Sequence, residues 1–418
     1  MAVAIAVFAA SLAAIASERF DRTKVALVGA VLMLLTQTID QEHAIASIDF
    51  NTIGLLAGMM LMVKLTETTG VYNWLAIRAG QLSRGRPLAV VISLAATTAV
   101  LSAFLDNLTT VLLMVPITFL LADALDIDPI PLVIIEIIVS NIGGTATLIG
   151  DPPNIIIAGA TNLSFTEFIV NLAPIAAVSL VAVTALLYLV YRPRLQTGAK
   201  ARAHVMGLDA GRSIEDRDGL IRTVPILVAT ILAFFLHKGI GLEPATVALA
   251  GATAMLIITR QPLEDALRGI EWPTLFFFLG LFVMVGALEE TGAIREIADA
   301  IGAVTDGNRT AELLGIAWVS ALGSGVVDNI PFTATMIPVV EQLQDGNNGD
   351  DAYWWALAIG ACFGGNATLI AAAANVAAAG MAARAGKPIG FMTFLKAGIP
   401  ATLVSMLLAT AYIAVRYL

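Results

Sequence analysis

Two Asp-Asn dipeptides, Asp106-Asn107 in "SAFLDNLTTVLLMVPI" and Asp328-Asn329 in "SGVVDNIPFTATMIPV", stand in stretches that are otherwise almost wholly apolar. A carboxylate at membrane depth costs about 3 kcal/mol on insertion scales, so residues kept there read as ion ligands or proton carriers. Each Asp could instead cap a half-helix through neighbouring N–H groups, a use that does not exclude the first. Two glycine-rich segments, "NIGGTATLIGDPPN" (141–154) and "CFGGNATLIAAAAN" (362–375), supply neutral donors and acceptors. Asn141, Gly143, Gly144, Thr145, Thr147 and Asn154 stand in the first, and Gly364, Gly365, Asn366, Thr368 and Asn375 in the second. With Asn107, Thr109, Asn329 and Thr333 beside the dipeptides, they suit a small polar solute.

Four further residues each have two readings. Asp151 either caps the helix that Pro152 and Pro153 begin or is itself a ligand or proton site, and its repeat counterpart is Ala372. Glu136, in "PLVIIEIIVSN", is either a protonatable group facing a cavity or the partner of another helix. Lys64 either snorkels to the interface or pairs with an Asp in ion coupling. Cys362 is either a small buried hydrophobe or a ligand for a soft solute. As the sole cysteine it excludes an internal disulfide, and His43, His204 and His237 have no metal-ligand spacing. No metal site, no cofactor and no enzymatic activity are expected.

These residues sit in a chain of 418 residues that is 58% hydrophobic and 13% charged, with a mean hydropathy of +0.87. Soluble domains run near half apolar and a quarter charged, so an all-α polytopic membrane protein is the class that fits. The net charge of −9 argues against nucleic acid as a partner; the partners expected are the bilayer and a small solute or ion. The first apolar run lacks a basic start and a cleavage pattern, so it reads as a retained helix.

The elements that position the polar residues come from an internal duplication. "TIGLLAGMMLMVKLTETTG" (52–70) aligns with "TLFFFLGLFVMVGALEETG" (274–292) at an offset of 222, keeping Gly58/Gly280 and Gly70/Gly292. The two Asp-Asn stretches align at the same offset, and "GGTATLIGDPPN" aligns with "GGNATLIAAAAN" at 221. Each half predicts helices over 2–17 and 223–237, 24–38 and 244–259, and 51–66 and 273–289. An apolar hairpin with Asp-Asn at its tip, a glycine-broken helix and a last helix over 168–191 and 391–415 follow. If the hairpin re-enters without crossing, each half crosses five times, and an odd number makes the second repeat inverted. The domains are then 1–191 and 223–418, joined by a linker over 192–222. With the amino terminus outside, seventeen of the 23 Lys and Arg residues face the cytoplasm, which satisfies the positive-inside rule.

Inverted repeats with broken helices are the sequence signature of secondary transporters. At the four motifs around Asp106, 140–159, Asp328 and 360–380 the chain resembles the branch of the ion transporter superfamily that includes arsenite efflux permeases and the P protein. That resemblance implies the fold of sodium/dicarboxylate-type transporters, in which a mobile region with two hairpins and two broken helices moves against a scaffold as an elevator. Where the dicarboxylate branch has Ser-Asn-Thr at its hairpin tips, this chain has Asp106-Asn107 and Asp328-Asn329. Two carboxylates would repel an anion by about 4 kcal/mol per charge pair at 4 Å and an effective dielectric of 20. The expectation is therefore proton-coupled efflux of arsenite or antimonite, neutral trihydroxides, across the plasma membrane. The alternatives are a sodium/proton antiporter and, behind it, an organic-anion transporter. A homodimer and a separate ATPase subunit are left open, since the chain has no nucleotide-binding P-loop.

Overall fold

The structure, a computed structural model, describes all residues except 18, 199–205, 208, 260, 306 and 347–348, with 345 and 346 described in backbone only. Lys200, Arg202, His204 and Arg260, and so part of the expected linker, lie outside the described residues.

Among the described residues each half contributes ten α-helices in one order. The first has α1 Ala2–Ala16, α2 Arg22–Leu35, α3 Gln41–Ala46, α4 Phe50–Glu67, α5 Val71–Leu82, α6 Pro87–Phe104, α7 Asn107–Leu125, α8 Ile130–Gly144, α9 Pro152–Ala160 and α10 Phe165–Tyr191. The second has α11 Arg217–Leu236, α12 Pro244–Thr259, α13 Leu263–Leu267, α14 Trp272–Glu290, α15 Ala293–Thr305, α16 Arg309–Val326, α17 Asn329–Gly346, α18 Ala352–Gly364, α19 Ala373–Arg384 and α20 Phe391–Arg416. Six of them, α6, α7, α10, α11, α14 and α20, are long and apolar enough to cross a bilayer, and α1, α8, α12 and α18 are shorter apolar helices.

The expected elements are present, with ends displaced where capping, which hydropathy does not report, decides the boundary. α11 starts at Arg217 rather than 223 because the Asp216 side chain accepts from Gly219 N at 2.8 Å. α10 starts at Phe165 because Ser164 and Glu167 form a capping box. α2 stops at Leu35, where Thr38 Oγ1 donates to Met33 O at 2.8 Å and Gln37 takes a positive φ. The short helices α3, α5, α13 and α15 were not expected, because they are too short or too polar to register as spans. Gly70 and Gly292, matched by the duplication, precede α5 and α15 with φ of 79° and 78°. Only glycine adopts this region without strain, which accounts for the recurrence.

Two bodies are built across the repeats. α2 packs on α14 and α4 on α12, so each half lends helices to a common scaffold. The recurring Gly58 and Gly280 allow the backbones to come close: a Cβ there would lie 2.8 Å from the Ala248 carbonyl carbon and 2.7 Å from that of Ala26. In the second body α6 packs on α8 and α16 on α18, and the repeats interlock through α7 with α19 and α17 with α9. Gly143 lets α8 approach α6, and Gly364 lets α18 approach α16; a Cβ at either would stand 2.4 Å from the carbonyl oxygen of Ala99 or Ala321.

The duplication extends to individual hydrogen bonds. Ser102 Oγ donates to Ser140 O at 2.6 Å, and Ser324 Oγ to Ala361 O at 2.7 Å. Thr147 Oγ1 donates to Ala103 O, and Thr368 Oγ1 to Gly325 O at 2.7 Å. Hairpin and helix break are thus locked identically in both halves. The two hairpin tips are joined through Asp151, which accepts from Asn107 and Asn329, and the fold is two inverted repeats.

Glycine 364 offers a direct test of this packing. Gly364→Ala is expected to lower the melting temperature of the purified protein by several degrees, an overpacking cost of about 1–3 kcal/mol. Gly315→Ala in α16, where a Cβ meets nothing within 4 Å, should leave it unchanged or raise it. Equal melting temperatures would contradict the close approach of α18 to α16.

Candidate functional site

A break in a spanning helix frees carbonyls and amides that lipid cannot satisfy. In the first break Asn154, in the first turn of α9, reaches back: its Nδ2 donates to Thr145 O at 3.1 Å and Thr147 O at 2.8 Å. In the second break Asn375 Nδ2 does the same to Gly365 O at 2.7 Å and Thr368 O at 2.9 Å. The glycines, Thr147, Thr368 and these two asparagines therefore brace the breaks.

The breaks then face one another. Asn141 Nδ2 donates to Asn375 Oδ1 at 3.0 Å and Asn366 Oδ1 at 2.9 Å, and Cys362 Sγ, which occupies the equivalent place, donates to Asn154 Oδ1 at 3.7 Å. Asn107 Nδ2 donates to Asn141 Oδ1 at 3.0 Å. A buried amide cluster from both repeats surrounds one carboxylate. Asp151 Oδ1 accepts from Asn107 Nδ2 at 3.1 Å and from Asn329 Nδ2 at 3.2 Å, one asparagine from each hairpin tip.

Asp151 is fully buried; its Oδ2 makes no hydrogen bond of ordinary geometry, although the Cys362 thiol stands within reach of the carboxylate, and Asn366 Nδ2 is likewise unpartnered. Although it stands at the N-cap of α9, its side chain makes no capping bond. Of the two readings of Asp151, the structure therefore excludes the cap and leaves the carboxylate facing the centre.

Asp106 and Asp328 take the capping geometry. Asp106 Oδ1 accepts from Thr109 N at 2.9 Å, and Thr109 Oγ1 donates to Oδ2. Asp328 Oδ1 accepts from Ile330 N at 2.9 Å, while its Oδ2 pairs with Arg22 Nη1 at 3.3 Å. Arg22 belongs to α2 of the scaffold and also stands 5.4 Å over the Phe277 ring. A cavity of about 460 Å³ lined by Phe20, Arg22, Leu108, Asp328, Ile370 and Ala373 connects this pair to the tips and to the second break.

Thr145 and Thr333 turn their hydroxyls back onto their own helices, to Asn141 O at 2.8 Å and Asn329 O at 2.7 Å. Two expected coupling residues lie outside the cluster. Lys64 pairs with Glu67 at 3.0 Å, both half-exposed, rather than with an aspartate. Glu136 is enclosed between α7 and α8, where Thr118 Oγ1 donates to its Oε1. Among the described residues no group of three His, Cys, Asp or Glu side chains could hold a metal ion. Arg22 escaped sequence reasoning because its partner is 306 positions away. Ser102 and Ser324 carried a usable signal, since both begin the duplicated hairpin segments.

Removal of the Asp151 carboxylate separates its packing from its charge. Asp151→Ala leaves two buried amide donors unpaired at about 1–3 kcal/mol each, whereas Asp151→Asn keeps an acceptor oxygen. A melting temperature clearly lower for the alanine variant than for the asparagine variant is the expected result; coincident melting curves would show that Asn107 and Asn329 do not depend on Asp151.

Comparison with known proteins gives one consistent picture. The profile of CitMHS, described as citrate transporter, matches residues 12–360. An uncharacterized transporter of Mycobacterium tuberculosis is 42% identical over 99% of this chain and 98% of its own length. The 46 kDa membrane protein of Mycobacterium leprae is 39% identical over 100% and 99%. The human P protein is 34% identical over 99% of this chain and 60% of its own length. Among solved structures, the Alcanivorax borkumensis YdaH transporter, whose crystal structure shows an unusual topology, superimposes with a TM-score of 0.60 at 17% identity, over 92% of this chain and 88% of that one.

Proposed function

Because the chain belongs to the citrate transporter family of membrane transporters, we propose that it is a secondary active transporter in which Asp151 couples solute movement to protons. One observation carries this reading: a fully buried carboxylate held by an asparagine from each repeat, with one oxygen unpartnered. A side chain gripped by both hairpin tips registers any change at either, and a proton on the free oxygen alters what the tips can hold. The scaffold of α2, α4, α12 and α14 stays in place while the hairpins and broken helices move as an elevator.

The solute follows from charge. Three aspartates face this region against one guanidinium, so a neutral or cationic species is favoured over an anion. The first reading is a neutral trihydroxide such as arsenite or antimonite, hydrogen-bonded by the asparagine cluster and exported against protons entering the cell. With the amino terminus outside, the cavity beside Arg22 opens toward the cytoplasm of the plasma membrane, the side from which an exporter loads. Sodium/proton exchange uses the same oxygens with sodium in place of the solute.

A second reading has its own support. The matched family is described as citrate transporter, and Arg22 lines the cavity that leads to the tips. An organic anion could be taken by this guanidinium once cations or protons neutralise the aspartates.

Purified protein in liposomes with an internal pH dye discriminates these. The expected result is arsenite movement that carries protons and is abolished in Asp151→Asn. Citrate uptake that falls in Arg22→Gln, with no arsenite movement, would transfer the assignment to the organic anion; sodium-driven pH change without either solute would transfer it to the antiporter.

A further inference from the structure

The α7–α8 contact of the first repeat is bounded by two polar pairs. At one end Asn107 meets Asn141 at 3.0 Å; at the other Thr118 Oγ1 donates to Glu136 Oε1. Glu136 stands five positions before Asn141, a rise of about 7.5 Å along α8, and Thr118 eleven positions after Asn107, about 16.5 Å along α7. Thr110, between the pairs on α7, is fully buried, and its hydroxyl has no partner. Ser140, between them on α8, turns its hydroxyl to Ile137 O at 2.8 Å. Glu136 is 0% exposed, and its Oε2 has no hydrogen-bond partner. No charged side chain of the helices packed on α8, namely α6, α7, α10, α18, α19 and α20, is among the groups that act on it.

The second repeat builds the same pair of helices without any of this chemistry. The duplication places Phe332 opposite Thr110, Val340 opposite Thr118 and Leu357 opposite Glu136, and Val340 and Leu357 are fully buried. Packing of the fold therefore does not require a carboxyl at this position. An apolar residue serves in the equivalent place, and an enclosed unpaired charge would cost several kcal/mol. A carboxyl retained at such expense has work that leucine cannot do.

We propose that Glu136 is a second proton-binding residue of the transport cycle, held by Thr118 on the same α7–α8 contact that carries the Asn107–Asn141 pair. The proton sits on the unpartnered Oε2 while Thr118 holds Oε1 and fixes the carboxyl's orientation. Because α7 and α8 belong to the body that contains the hairpin tips, the proton travels with them. A cycle that carries protons on both Asp151 and Glu136 moves more protons per solute than one that uses Asp151 alone. Such a residue presupposes the transport cycle proposed above.

Infrared difference spectra of the full-length protein in liposomes, taken between acidic and alkaline buffer, test the site without any solute. The expected result is a protonated-carboxyl band that is absent in Glu136→Gln and present in Asp151→Asn. Flux measurements with arsenite or citrate, whichever is carried, should then show fewer protons moved per solute in Glu136→Gln while solute movement continues. Should the glutamine variant fold poorly, Glu136→Leu, which copies the second repeat, serves in its place. Absence of a Glu136-dependent band, or an unchanged proton-to-solute ratio in a folded variant, overturns the proposal. A fully coupled Asp151→Asn protein would instead sink the Asp151 reading while the Glu136 band still stands.

Discussion

Backbone polar groups released at two helix breaks have no partner in hydrocarbon, and the centre of this protein is organised by how they are satisfied. Asn154 and Asn375 turn back to the carbonyls of their own breaks. Thr147 and Thr368 reach across to the last turn of the neighbouring hairpin helix. Ser102 and Ser324 bring the hairpins onto the carbonyls of α8 and α18. Once these bonds are made, each hairpin and its broken helix form one unit, and the tips have only one place to go. The polar site is thus a consequence of closing two breaks, with the asparagines that close them also facing its interior.

The two halves cease to match at their ionisable residues. Backbone bracing is common to both repeats, but Asp151 faces Ala372 across the pseudo-symmetry, Asn141 faces Cys362, and Glu136 corresponds to Leu357. Two carboxyls with unpartnered oxygens therefore lie in the first repeat. The second hairpin carries a different distinction, the ion pair of Asp328 with scaffold Arg22. The equivalent of Arg22 in the second repeat is Pro244, so among the described residues this ion pair has no counterpart at the first tip. Symmetric packing supplies the frame common to both halves, and the charged residues set the halves apart.

The ranking of the aspartates shows where local reasoning stops. Burial cost alone makes Asp106 and Asp328 conspicuous, since they stand in long apolar runs. Asp106 nevertheless spends both oxygens on the first turn of α7, and Asp328 spends Oδ1 on that of α17, leaving only Oδ2 for distant Arg22. Asp151, which the prolines after it mark as a cap, makes no capping bond at all. A cap is decided within three residues of chain, but Asp151 is claimed by Asn107 and Asn329, 44 and 178 residues away.

Read in one dimension, the chain determined the order of the helices, the duplication, the position of both breaks and the identity of the buried polar residues. Hydrophobic length and a repeated spacing are properties of the chain itself, and lipid leaves a break no other use for glycine and asparagine. The glycine pairs were legible too, although their reason, a close approach to Ala248, Ala26, Ala99 or Ala321, was not. Tertiary structure alone decided which carboxylate faces the centre, that Arg22 reaches Asp328, and that Glu136 is enclosed with Thr118. Those outcomes depend on which helix faces are brought together, and in a fold where the repeats exchange helices that pairing is set by the assembled whole.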